Sequence, residues 1–544
     1  MGIYLNPGAD LFLEARRSKI YVDKTAMLSE LSAVLGTQQK YVCVSRPRRF
    51  GKSMAANMIC AYYDHTVADE VFSGLAVARG EEFPRGRGAC DVLRLNMQEF
   101  LSETKSMAKF LSLLEDSLLW DLLRAYPDYE YLRRNQLRRV METIYMETRR
   151  PFIIVIDEWD CIFREYPHDT EAQRAYLDFL RDWLKDKAYI GLAYMTGILP
   201  IKKYGTHSAL NMFTEYSMED PGAYARYVGF TEEETRALCE AYGMDFEECR
   251  AWYDGYAFPY PEAGHIYSPK SVVEAMLRQR FGSYWNQTET YEALKIYIDL
   301  NEGGLRDAIV RMIAGGREKI DTTTFSNDMT TFHSADDVMT LLVHLGYLGY
   351  DLDRGEVFIP NNEVLREYVT ATKHGEEWSI ISRTLQASDA LLDAVLAGDE
   401  EKTAAAVAQA HLETSHIQYN DENALSYTLS LAFYSARRFY NVVRELPAGK
   451  GFADLVFLPR PRHAEKPALV VELKWDKTAM AAIRQIKEKG YAGALADYAG
   501  ELLLVGISYD RRTRRHEARI ERLEKPAPRG LEESVPSVDN NSKA

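Results

Sequence analysis

The sequence predicts a multidomain protein of the α/β class, and three observations carry that prediction. The chain has 544 residues, whereas single hydrophobic cores stop growing at roughly 250 to 300 residues, so two or three domains are expected. Towards the N-terminus, short apolar runs of strand composition alternate with helical segments, which is typical of a parallel sheet covered by helices. Apolar runs at residues 453–458 and 470–475 predict a second sheet near the C-terminus.

A phosphate-binding loop is predicted at residues 46–53, which read RPRRFGKS. The loop follows an apolar strand at residues 40–45 and precedes a helical segment at residues 54–63, which is the order that a P-loop requires. Backbone N–H groups of such a loop and the helix N-terminus bind phosphate oxygens. A P-loop NTPase with a parallel sheet is therefore expected. The residues expected to bind nucleotide or its Mg²⁺ in this loop are Arg49, Gly51, Lys52 and Ser53.

The loop departs from the usual pattern at its first position. In G-x-x-x-x-G-K-S the first glycine would stand where this chain has Arg46, so the usual backbone shape is not assumed. The later positions keep their expected roles. Lys52 reaches the β and γ phosphates, and Ser53 offers its hydroxyl to Mg²⁺.

A second nucleotide-handling element is predicted further along the chain. The apolar run at residues 152–156 suits a buried parallel strand and ends in Asp157 and Glu158. Asp157 is expected to hold Mg²⁺, and Glu158 to orient or deprotonate the attacking water. Two acidic residues after an apolar strand also occur at ordinary solvated strand ends. Their position behind a phosphate loop and ahead of a further strand containing Thr196 favours nucleotide binding.

Glu472 and Lys474 project from the same face of a predicted strand at residues 470–475, because side chains alternate along a strand. Residues 453–458 predict a second strand, and antiparallel pairing of the two would bring Asp454 close to Glu472. Two carboxylates beside a lysine suit a hard divalent cation with oxygen ligands. An E-x-K pattern arises easily by chance, so the upstream aspartate carries much of this prediction.

The C-terminal residues resemble the PD-(D/E)XK nuclease superfamily. The resemblance rests on G-x-A-D-L-V at residues 451–456, on V-E-L-K at residues 471–474, and on Gln485 in a helix with Tyr491 beyond it. The proline that the superfamily has before its aspartate is absent, since Ala453 stands there.

The resemblance implies an α/β/α nuclease fold with Mg²⁺ at the carboxylates. Lys474 would stabilise charge and orient water, and Gln485 would support the site. The residues that the resemblance assigns to catalysis are Asp454, Glu472, Lys474 and Gln485, and those it assigns to Mg²⁺ are Asp454, Glu472 and Glu422.

The N-terminal motifs resemble a bacterial AAA-ATPase-like family in which this domain precedes such a nuclease domain. YVDKT at residues 21–25, the phosphate loop at residues 46–53 and TGILPI at residues 196–201 carry that resemblance. It implies ATP and Mg²⁺ as cofactors. It also implies that Thr196 contacts the γ-phosphate as a sensor.

Between the two groups of motifs, the sequence predicts a mostly helical connector with a winged-helix-like part. Helix signals at residues 336–345 are followed by two strand-like runs at residues 346–351 and 356–360. The acidic surroundings favour a structural lid or a partner surface over DNA binding. The predicted domains are residues 1–220 (P-loop AAA-ATPase-like), 221–395 (connector), 396–524 (nuclease-like) and 525–544 (disordered tail).

Charge and hydropathy argue against several classes of protein. A formal net charge of −15 argues against a general nucleic-acid binder, so any contact with DNA has to be local. No uncharged apolar run reaches the roughly 18 residues of a membrane span, and the N-terminus does not resemble a secretion signal, so a soluble cytoplasmic protein is expected. Six scattered cysteines argue against a zinc site. Basic segments that could contact DNA lie at residues 46–49, 460–463 and 511–516.

The two groups of motifs predict an ATP-binding, ATP-hydrolysing protein that controls a Mg²⁺-dependent nuclease. We expect DNA as the cleaved nucleic acid, with RNA left open, in defence or in the processing of mobile elements. No membrane partner is expected, and a homo-oligomer is left open. Two alternatives stay open: an assembly protein whose nuclease fold only grips a partner, and a STAND-like signalling ATPase without nucleic-acid chemistry.

Overall fold

A computed structural model of the chain describes residues 2–80, 86–104, 106–201, 210–260, 264–285, 291–300, 302–372, 378–414, 428–448, 451–489 and 500–523. The chain divides into two compact units, Met1–Thr372 and Lys373–Ala544. Glu422, Tyr491 and the predicted tail at residues 525–544 lie outside the described residues.

The first unit contains helices and strands in alternation. Its described helices are α1 (Asp10–Arg16), α2 (Met27–Val34), α3 (Lys52–Tyr63), α4 (Met97–Thr104), α5 (Met107–Ala125), α6 (Leu137–Thr148), α7 (Cys161–Glu165), α8 (Thr170–Leu184), α9 (Glu232–Tyr242), α10 (Phe246–Tyr253), α11 (Pro269–Arg278), α12 (Tyr291–Ile298), α13 (Leu305–Ile313), α14 (Ala335–Leu345) and α15 (Asn362–Thr372). Its described strands are β1 (Tyr41–Ser45), β2 (Asp91–Asn96), β3 (Phe152–Asp157), β4 (Ile190–Gly197), β5 (Thr214–Tyr216), β6 (Phe230–Thr231), β7 (Tyr256–Phe258), β8 (Gly264–Tyr267), β9 (Glu318–Lys319), β10 (Gly349–Asp351) and β11 (Glu356–Phe358).

The second unit begins with helices and continues with a sheet. Its described elements are α16 (Ser379–Ala397), α17 (Glu400–Thr414), β12 (Tyr440–Ala448), β13 (Gly451–Pro459), β14 (Ala468–Trp475), α18 (Ala479–Glu488), β15 (Leu502–Asp510) and β16 (Arg515–Leu523). Within the described part of the chain, no helix is both long enough and apolar enough to cross a membrane.

A five-stranded sheet in the order β2-β3-β4-β1-β5 organises the N-terminal part of the first unit, and its strands pair in parallel. Every residue of β1, β3 and β4 is buried, as expected for strands covered on both faces. Because β4 lies between β1 and β3, the C-terminal ends of these three strands meet at one edge. The predicted parallel sheet is confirmed, and this edge positions the phosphate loop, Asp157 and Thr196.

The rest of the first unit, which we call the middle region, is mostly helical and has two small antiparallel sheets, β6-β8-β7 and β10-β11-β9. Helix α9 begins with a capping box between Thr231 and Glu234. The apolar faces of α9, α10 and α11 share one core. Helix α14, β10 and β11 follow one another as helix, strand and strand, which confirms the winged-helix-like pattern.

A five-stranded mixed sheet in the order β12-β13-β14-β15-β16 forms the second unit, and its neighbours are antiparallel except for β14 and β15. Helix α18 packs Ile483 and Ile486 against Val470 and Leu504 on one face. Helices α16 and α17 cover the other face. The α/β/α layering predicted for the C-terminal domain is confirmed.

Gly506 allows α18 to lie close to β15. A Cβ atom at this position would clash with the carbonyl oxygen of Ala479 and would press on Ala482 and Ile483. Gly506 also pairs with Glu472 across β14 and β15. The close approach of the helix therefore occurs beside the strand residue that the E-x-K pattern singles out.

Helix α16 spans the domain boundary that the sequence predicted at residue 395. Its residues Leu391, Leu392 and Val395 are buried in the core of the second unit. The two compact units divide between Thr372 and Lys373. The apolar face of α16 therefore joins the core of the second unit.

Candidate nucleotide site and candidate metal site

The phosphate loop connects the end of β1 with the start of α3. Arg49 has a φ angle of 69° and Gly51 has a φ angle of 95°, so two loop residues adopt a left-handed backbone. Glycine adopts this conformation at little cost, whereas a residue with a side chain is strained in it. The first N–H groups of α3 have no partners within the helix, and such groups are suited to phosphate oxygens.

Lys52 is buried at the start of α3. Its Nζ donates hydrogen bonds to the carbonyl oxygens of Arg46 (3.1 Å) and Pro47 (3.0 Å). Burial lowers the pKa of the Lys52 ammonium, while the carboxylates of Glu158 and Asp157 act in the opposite direction. The ammonium is held inside the loop, near the acidic residues at the end of β3.

Arg46, which stands where the usual first glycine would be, points into the protein interior. Its Nη1 donates hydrogen bonds to the carbonyl oxygens of Tyr216 and Ser217, both at 3.0 Å. The guanidinium also lies over the ring of Phe258, 5.5 Å from its centroid. Burial lowers the pKa of Arg46 to about 10. The side chain ties the loop to the end of β5, so it is not part of an exposed basic patch at residues 46–49, contrary to the sequence-based expectation.

Asp157 and Thr196 lie opposite each other at the ends of β3 and β4. Thr196 also pairs with Val44, and its hydroxyl donates to the Val44 carbonyl oxygen at 2.9 Å. Glu158 has a φ angle of 54° and forms an ion pair with Arg164. Burial raises the pKa of the Glu158 carboxyl, which suits a group that has to accept a proton. The structure brings these predicted residues together at the edge that carries the phosphate loop.

Asp160 and Arg164 complete this edge, although the sequence analysis did not single them out. Asp160 accepts hydrogen bonds from the N–H groups of Ile198 (3.0 Å) and Leu199 (2.8 Å), and it lies 3.4 Å from Nε of Arg164. Arg164 therefore contacts both Asp160 and Glu158. An acidic and a basic residue four positions apart at a helix start are the signal that could have indicated this pair.

A cavity of about 520 Å³ adjoins the phosphate loop. Its polar end is lined by Gly51, Lys52, Ser53 and Glu158. Its volume falls within the range of about 300 to 1,000 Å³ that is typical of small-molecule and cofactor sites. The polar end beside the N-terminus of α3 suits the phosphates of a nucleotide, and the apolar wall suits its base. The apolar wall includes Phe12, Ile20, Tyr21, Val22, Phe230 and Val273.

In the second unit, antiparallel strand pairing brings Asp454 of β13 and Glu472 of β14 together. The register pairs Leu455 with Val471, which places Asp454 opposite Glu472. An oxygen of Asp454 accepts a hydrogen bond from the N–H group of Leu473 at 2.7 Å. The strand pairing expected from the sequence is present, and it positions both carboxylates at one place on the sheet.

Glu472 is 1% exposed, and its two oxygens have different surroundings. Lys474 Nζ donates to Oε1 at 3.2 Å, and Gln485 Nε2 donates to the same oxygen. Lys474 Nζ also donates to the carbonyl oxygen of Leu473 at 2.7 Å. The other oxygen, Oε2, is buried and has no hydrogen-bond partner among the described residues. Burial, followed by the charge of Asp454, raises the pKa of Glu472 to about 7.

A divalent cation fits this pair of carboxylates. A buried carboxylate oxygen without a partner costs free energy, and a bound cation would remove that cost. Mg²⁺ is commonly held through one or two carboxylates, with waters and substrate phosphates completing its shell. Asp454 and Glu472 supply that number. The described residues contain no group of three or more His, Cys, Asp or Glu side chains that could hold a metal, and the third predicted ligand, Glu422, lies outside them.

Comparison with known proteins agrees with the two sites. Residues 8–206 match a family model described as Predicted AAA-ATPase, and residues 421–519 match the model of the PD-(D/E)XK nuclease superfamily. The chain combines an AAA-ATPase-like domain with a PD-(D/E)XK nuclease-like domain. Both resemblances that the motifs carried are thereby confirmed.

One relative is similar along most of the chain. It is described as an uncharacterized protein in the vnfD 5′ region of Azotobacter chroococcum mcd 1. It is 25% identical over an alignment of 519 residues, which covers 91% of this chain and 93% of that protein. Among solved structures, ORC2 of Aeropyrum pernix with ADPNP and ADP has 11% identity and a TM-score of 0.28, covering 68% of this chain and 99% of its own. ORC1 of Aeropyrum pernix with DNA has 11% identity and a TM-score of 0.24, covering 68% and 97%. At these TM-scores the likeness carries no argument about this chain.

The basic segments of the nuclease-like domain differ in exposure. Arg460 is buried, so the segment at residues 460–463 lies partly in the interior. Lys474 pairs with Ser508 on the parallel strand β15, which ends two residues later at Asp510. The turn that follows β15 therefore begins near Lys474 in the sheet. This turn, which we call the arginine turn, exposes Arg511, Arg512, Arg514 and Arg515.

Lys489 is another residue near the metal site that the sequence analysis did not indicate. It follows the last turn of α18, four residues after Gln485, so the two residues share one side of the helix. Its charge opposes the rise in the pKa of Glu472. The spacing of four residues between Gln485 and Lys489, which is about one helical turn, could have suggested this placement.

Substitution of Glu472 by glutamine is expected to stabilise the metal-free protein at pH 8. The pKa of Glu472 is raised to about 7 in the folded state from an ordinary value near 4.5, so the folded state holds this proton more tightly than the unfolded state. The parent therefore loses stability as pH rises through about 7, whereas Glu472→Gln does not titrate. The melting temperature of the second unit, measured with the metal chelated, should rise by about 2–4 °C for each kcal/mol gained.

At pH 4 the two proteins should differ much less, because Glu472 is then protonated in both the folded and the unfolded parent. Addition of Mg²⁺ at pH 8 should raise the melting temperature of the parent and leave that of Glu472→Gln almost unchanged. A variant that is less stable than the parent at pH 8 would show that the buried carboxylate is satisfied without a cation.

Proposed function

We propose that the chain binds and hydrolyses ATP and uses this domain to control a Mg²⁺-dependent nuclease that cleaves DNA. The observation that supports the nuclease best is the buried Oε2 of Glu472, which has no hydrogen-bond partner among the described residues. The same carboxylate is influenced by the charges of Asp454 and Lys474. A carboxylate retained only for an ion pair would be expected to have both oxygens satisfied. A bound cation accounts for the oxygen that Lys474 and Gln485 leave unused.

In the nuclease-like domain, Asp454 and Glu472 hold the cation. Gln485 fixes the orientation of Glu472 through its hydrogen bond to Oε1. Mg²⁺ supplies polarisation of the scissile phosphate and a lowered pKa of bound water when it is present. Lys474 stabilises the negative charge that develops on the phosphate. Its ammonium is positioned for this role because it lies 3.2 Å from Glu472, the residue that holds the cation. The arginine turn contacts the DNA backbone through charge, which confines DNA binding to one part of an acidic protein.

In the AAA-ATPase-like domain, Lys52 exchanges its two loop carbonyl partners for the β and γ phosphates of ATP. Ser53 and Asp157 hold the Mg²⁺ that accompanies the nucleotide, while Arg49 and Gly51 line the phosphates. Glu158 accepts the proton of the attacking water, for which its raised pKa is suited. Thr196 lies between the phosphate loop and Asp157 and contacts the γ-phosphate side of the site.

The combination of ATP handling and DNA cleavage suits defence against foreign DNA or the processing of mobile elements. A nuclease of this kind has to be restrained in its own cell, and a nucleotide-dependent domain on the same chain provides a means of restraint. The intact carboxylates Asp454 and Glu472 favour cleavage over a role in which the nuclease fold only grips a partner.

Loss of either proposed metal ligand should abolish cleavage. We expect Asp454→Asn and Glu472→Gln to cut supercoiled DNA at least about a hundredfold more slowly than the parent in Mg²⁺, because each removes charge stabilisation worth several kcal/mol in the transition state. Gln485→Ala should be about 10- to 100-fold slower, since it loses only the orientation of Glu472. Conversion of plasmid DNA to nicked and linear forms measures the rates.

The matched control is Glu501→Gln, because Glu501 stands just before β15 and pairs with Arg522 at 2.9 Å. It should cut at the rate of the parent, and a metal chelator should stop the parent. Cleavage that continues both in Asp454→Asn and under chelation would contradict the nuclease proposal. Tight DNA binding without cleavage by the parent would favour the gripping role instead.

Substitutions in the AAA-ATPase-like domain should separate nucleotide binding from hydrolysis. Lys52→Ala should weaken Mg-ATP binding at least about tenfold, because it removes the ammonium that is expected to reach the β and γ phosphates. Glu158→Gln should retain binding and release phosphate at least about a hundredfold more slowly, since general-base catalysis contributes factors of that size. Calorimetry and a phosphate-release assay give the two quantities.

The exposed Lys109 of α5 provides a control for the loss of a lysine, and Lys109→Ala should match the parent in both assays. Unchanged phosphate release by Glu158→Gln would exclude it as the base. Unchanged affinity in Lys52→Ala would remove the phosphate loop from the nucleotide site.

A further inference from the structure

The phosphate loop is supported by a turn that lies far along the chain. Arg49 Nη1 donates a hydrogen bond to the carbonyl oxygen of Tyr284 at 2.8 Å. In the reverse direction, Trp285 Nε1 donates to the carbonyl oxygen of Arg48 at 3.4 Å. The ring of Trp285 packs edge-on against Tyr347, with centroids 5.0 Å apart. The Tyr284–Trp285 turn is therefore packed in the middle region and bonded to the loop.

Other loop residues also contact the middle region. The ring of Phe50 meets that of Tyr256 edge-on, with centroids 5.3 Å apart. The backbone of Gly346 approaches Pro47 so closely that a Cβ atom at position 346 would clash with it. A glycine-poor loop with Arg49 in a left-handed conformation needs such external support, because strained backbone persists only when its surroundings hold it.

Glu363, in the first turn of α15, accepts hydrogen bonds from the backbone of the Tyr284–Trp285 turn. Its Oε1 accepts hydrogen bonds from the N–H groups of Tyr284 (2.6 Å) and Trp285 (2.8 Å). Its Oε2 accepts a hydrogen bond from the hydroxyl of Ser271 at 2.7 Å. Ser271 belongs to α11, a helix that lines the cavity. One carboxylate thus joins the support of the phosphate loop to another wall of the cavity.

Burial of this carboxylate is unfavourable in itself. Glu363 is 2% exposed, and burial raises its pKa to about 7 although three hydrogen bonds act in the opposite direction. An apolar side chain of similar volume would often be more favourable for stability than a buried charge. A role of the Glu363 carboxylate at the cavity would explain why a buried acid is found at this position.

We propose that Glu363 is a positioning residue for the nucleotide site, which it shapes by fixing the Tyr284–Trp285 turn against the phosphate loop and α11 against the cavity. The proposal rests on nucleotide binding at the phosphate loop. Without Glu363, the turn and the loop sample arrangements that cannot bind phosphate, and the measured affinity falls with the fraction of molecules that remain competent. Affinity for ATP is in this way set by the middle region as well as by the loop.

Calorimetric titration of the full chain with Mg-ATP tests the role of Glu363. Glu363→Ala should bind at least about tenfold more weakly than the parent, as expected if a tenth of the molecules or fewer stay competent. Glu363→Gln should recover most of the loss, because its amide oxygen can accept the two backbone N–H groups and its amide nitrogen can donate to Ser271. Trp285→Phe keeps the ring packing, loses only the bond to Arg48, and should show a smaller decrease.

Asp328→Asn is the control for loss of a buried carboxylate in the middle region. Asp328 is 3% exposed and accepts hydrogen bonds from the N–H groups of Thr330 (3.0 Å) and Thr331 (2.7 Å). These hydrogen bonds lie within its own turn and not at the phosphate loop. Asp328→Asn should therefore bind Mg-ATP with the affinity of the parent, even if its melting temperature falls as much as that of Glu363→Ala.

Hydrogen exchange supplies a readout that a merely structural role would not change. Mg-ATP should slow exchange at the amides of Tyr284 and Trp285 in the parent, and this protection should be lost in Glu363→Ala. Equal affinity of the parent, Glu363→Ala and Trp285→Phe would overturn the positioning role, as would unchanged exchange at the turn while the phosphate loop becomes protected. A parent that does not bind Mg-ATP at all would instead overturn the proposed nucleotide binding.

Discussion

The interaction on which the nuclease-like domain depends is the burial of Glu472 against a second carboxylate. Burying a carboxylate beside another acid is unfavourable, and burial together with the charge of Asp454 raises the pKa of Glu472 to about 7. The fold holds the arrangement in place through strand pairing with Asp454 and through the close approach of α18 at Gly506. Lys474 and Gln485 donate hydrogen bonds to one oxygen only, and a bound cation would supply a partner for the other.

In the AAA-ATPase-like domain, the main constraint is the shape of the phosphate loop. Its phosphate loop has Arg46 where the first glycine usually stands, and the side chain of Arg46 donates hydrogen bonds to carbonyl oxygens at the end of β5. A loop of this kind keeps its shape through contacts from outside. The Tyr284–Trp285 turn and Glu363 provide them, so the site for phosphates is assembled from segments distant in sequence.

Local patterns in the sequence predicted most of the fold and the main candidate residues. The phosphate loop with Lys52 and Ser53 follows a short apolar strand, and Asp157 and Glu158 stand at the end of another, so each pattern is recognisable within a few residues. The same holds for the alternating Glu472 and Lys474. Long-range contacts leave no such pattern: neither the inward direction of Arg46 nor the link from Glu363 to Trp285 could be read from spacing. The core that α16 joins is likewise decided by tertiary packing, which residue spacing does not reveal.

The central claim is that nucleotide at the phosphate loop controls cleavage at Asp454 and Glu472. The most direct measurement is the rate at which the full chain cleaves supercoiled, linear and single-stranded DNA, and RNA, in Mg²⁺ with and without ATP, for the parent and for Lys52→Ala. The account predicts that the parent cleaves DNA at a rate that changes with ATP and that Lys52→Ala cleaves at a rate that does not. Cleavage by the parent that is indifferent to ATP, or the absence of cleavage from every substrate in both conditions, would contradict it.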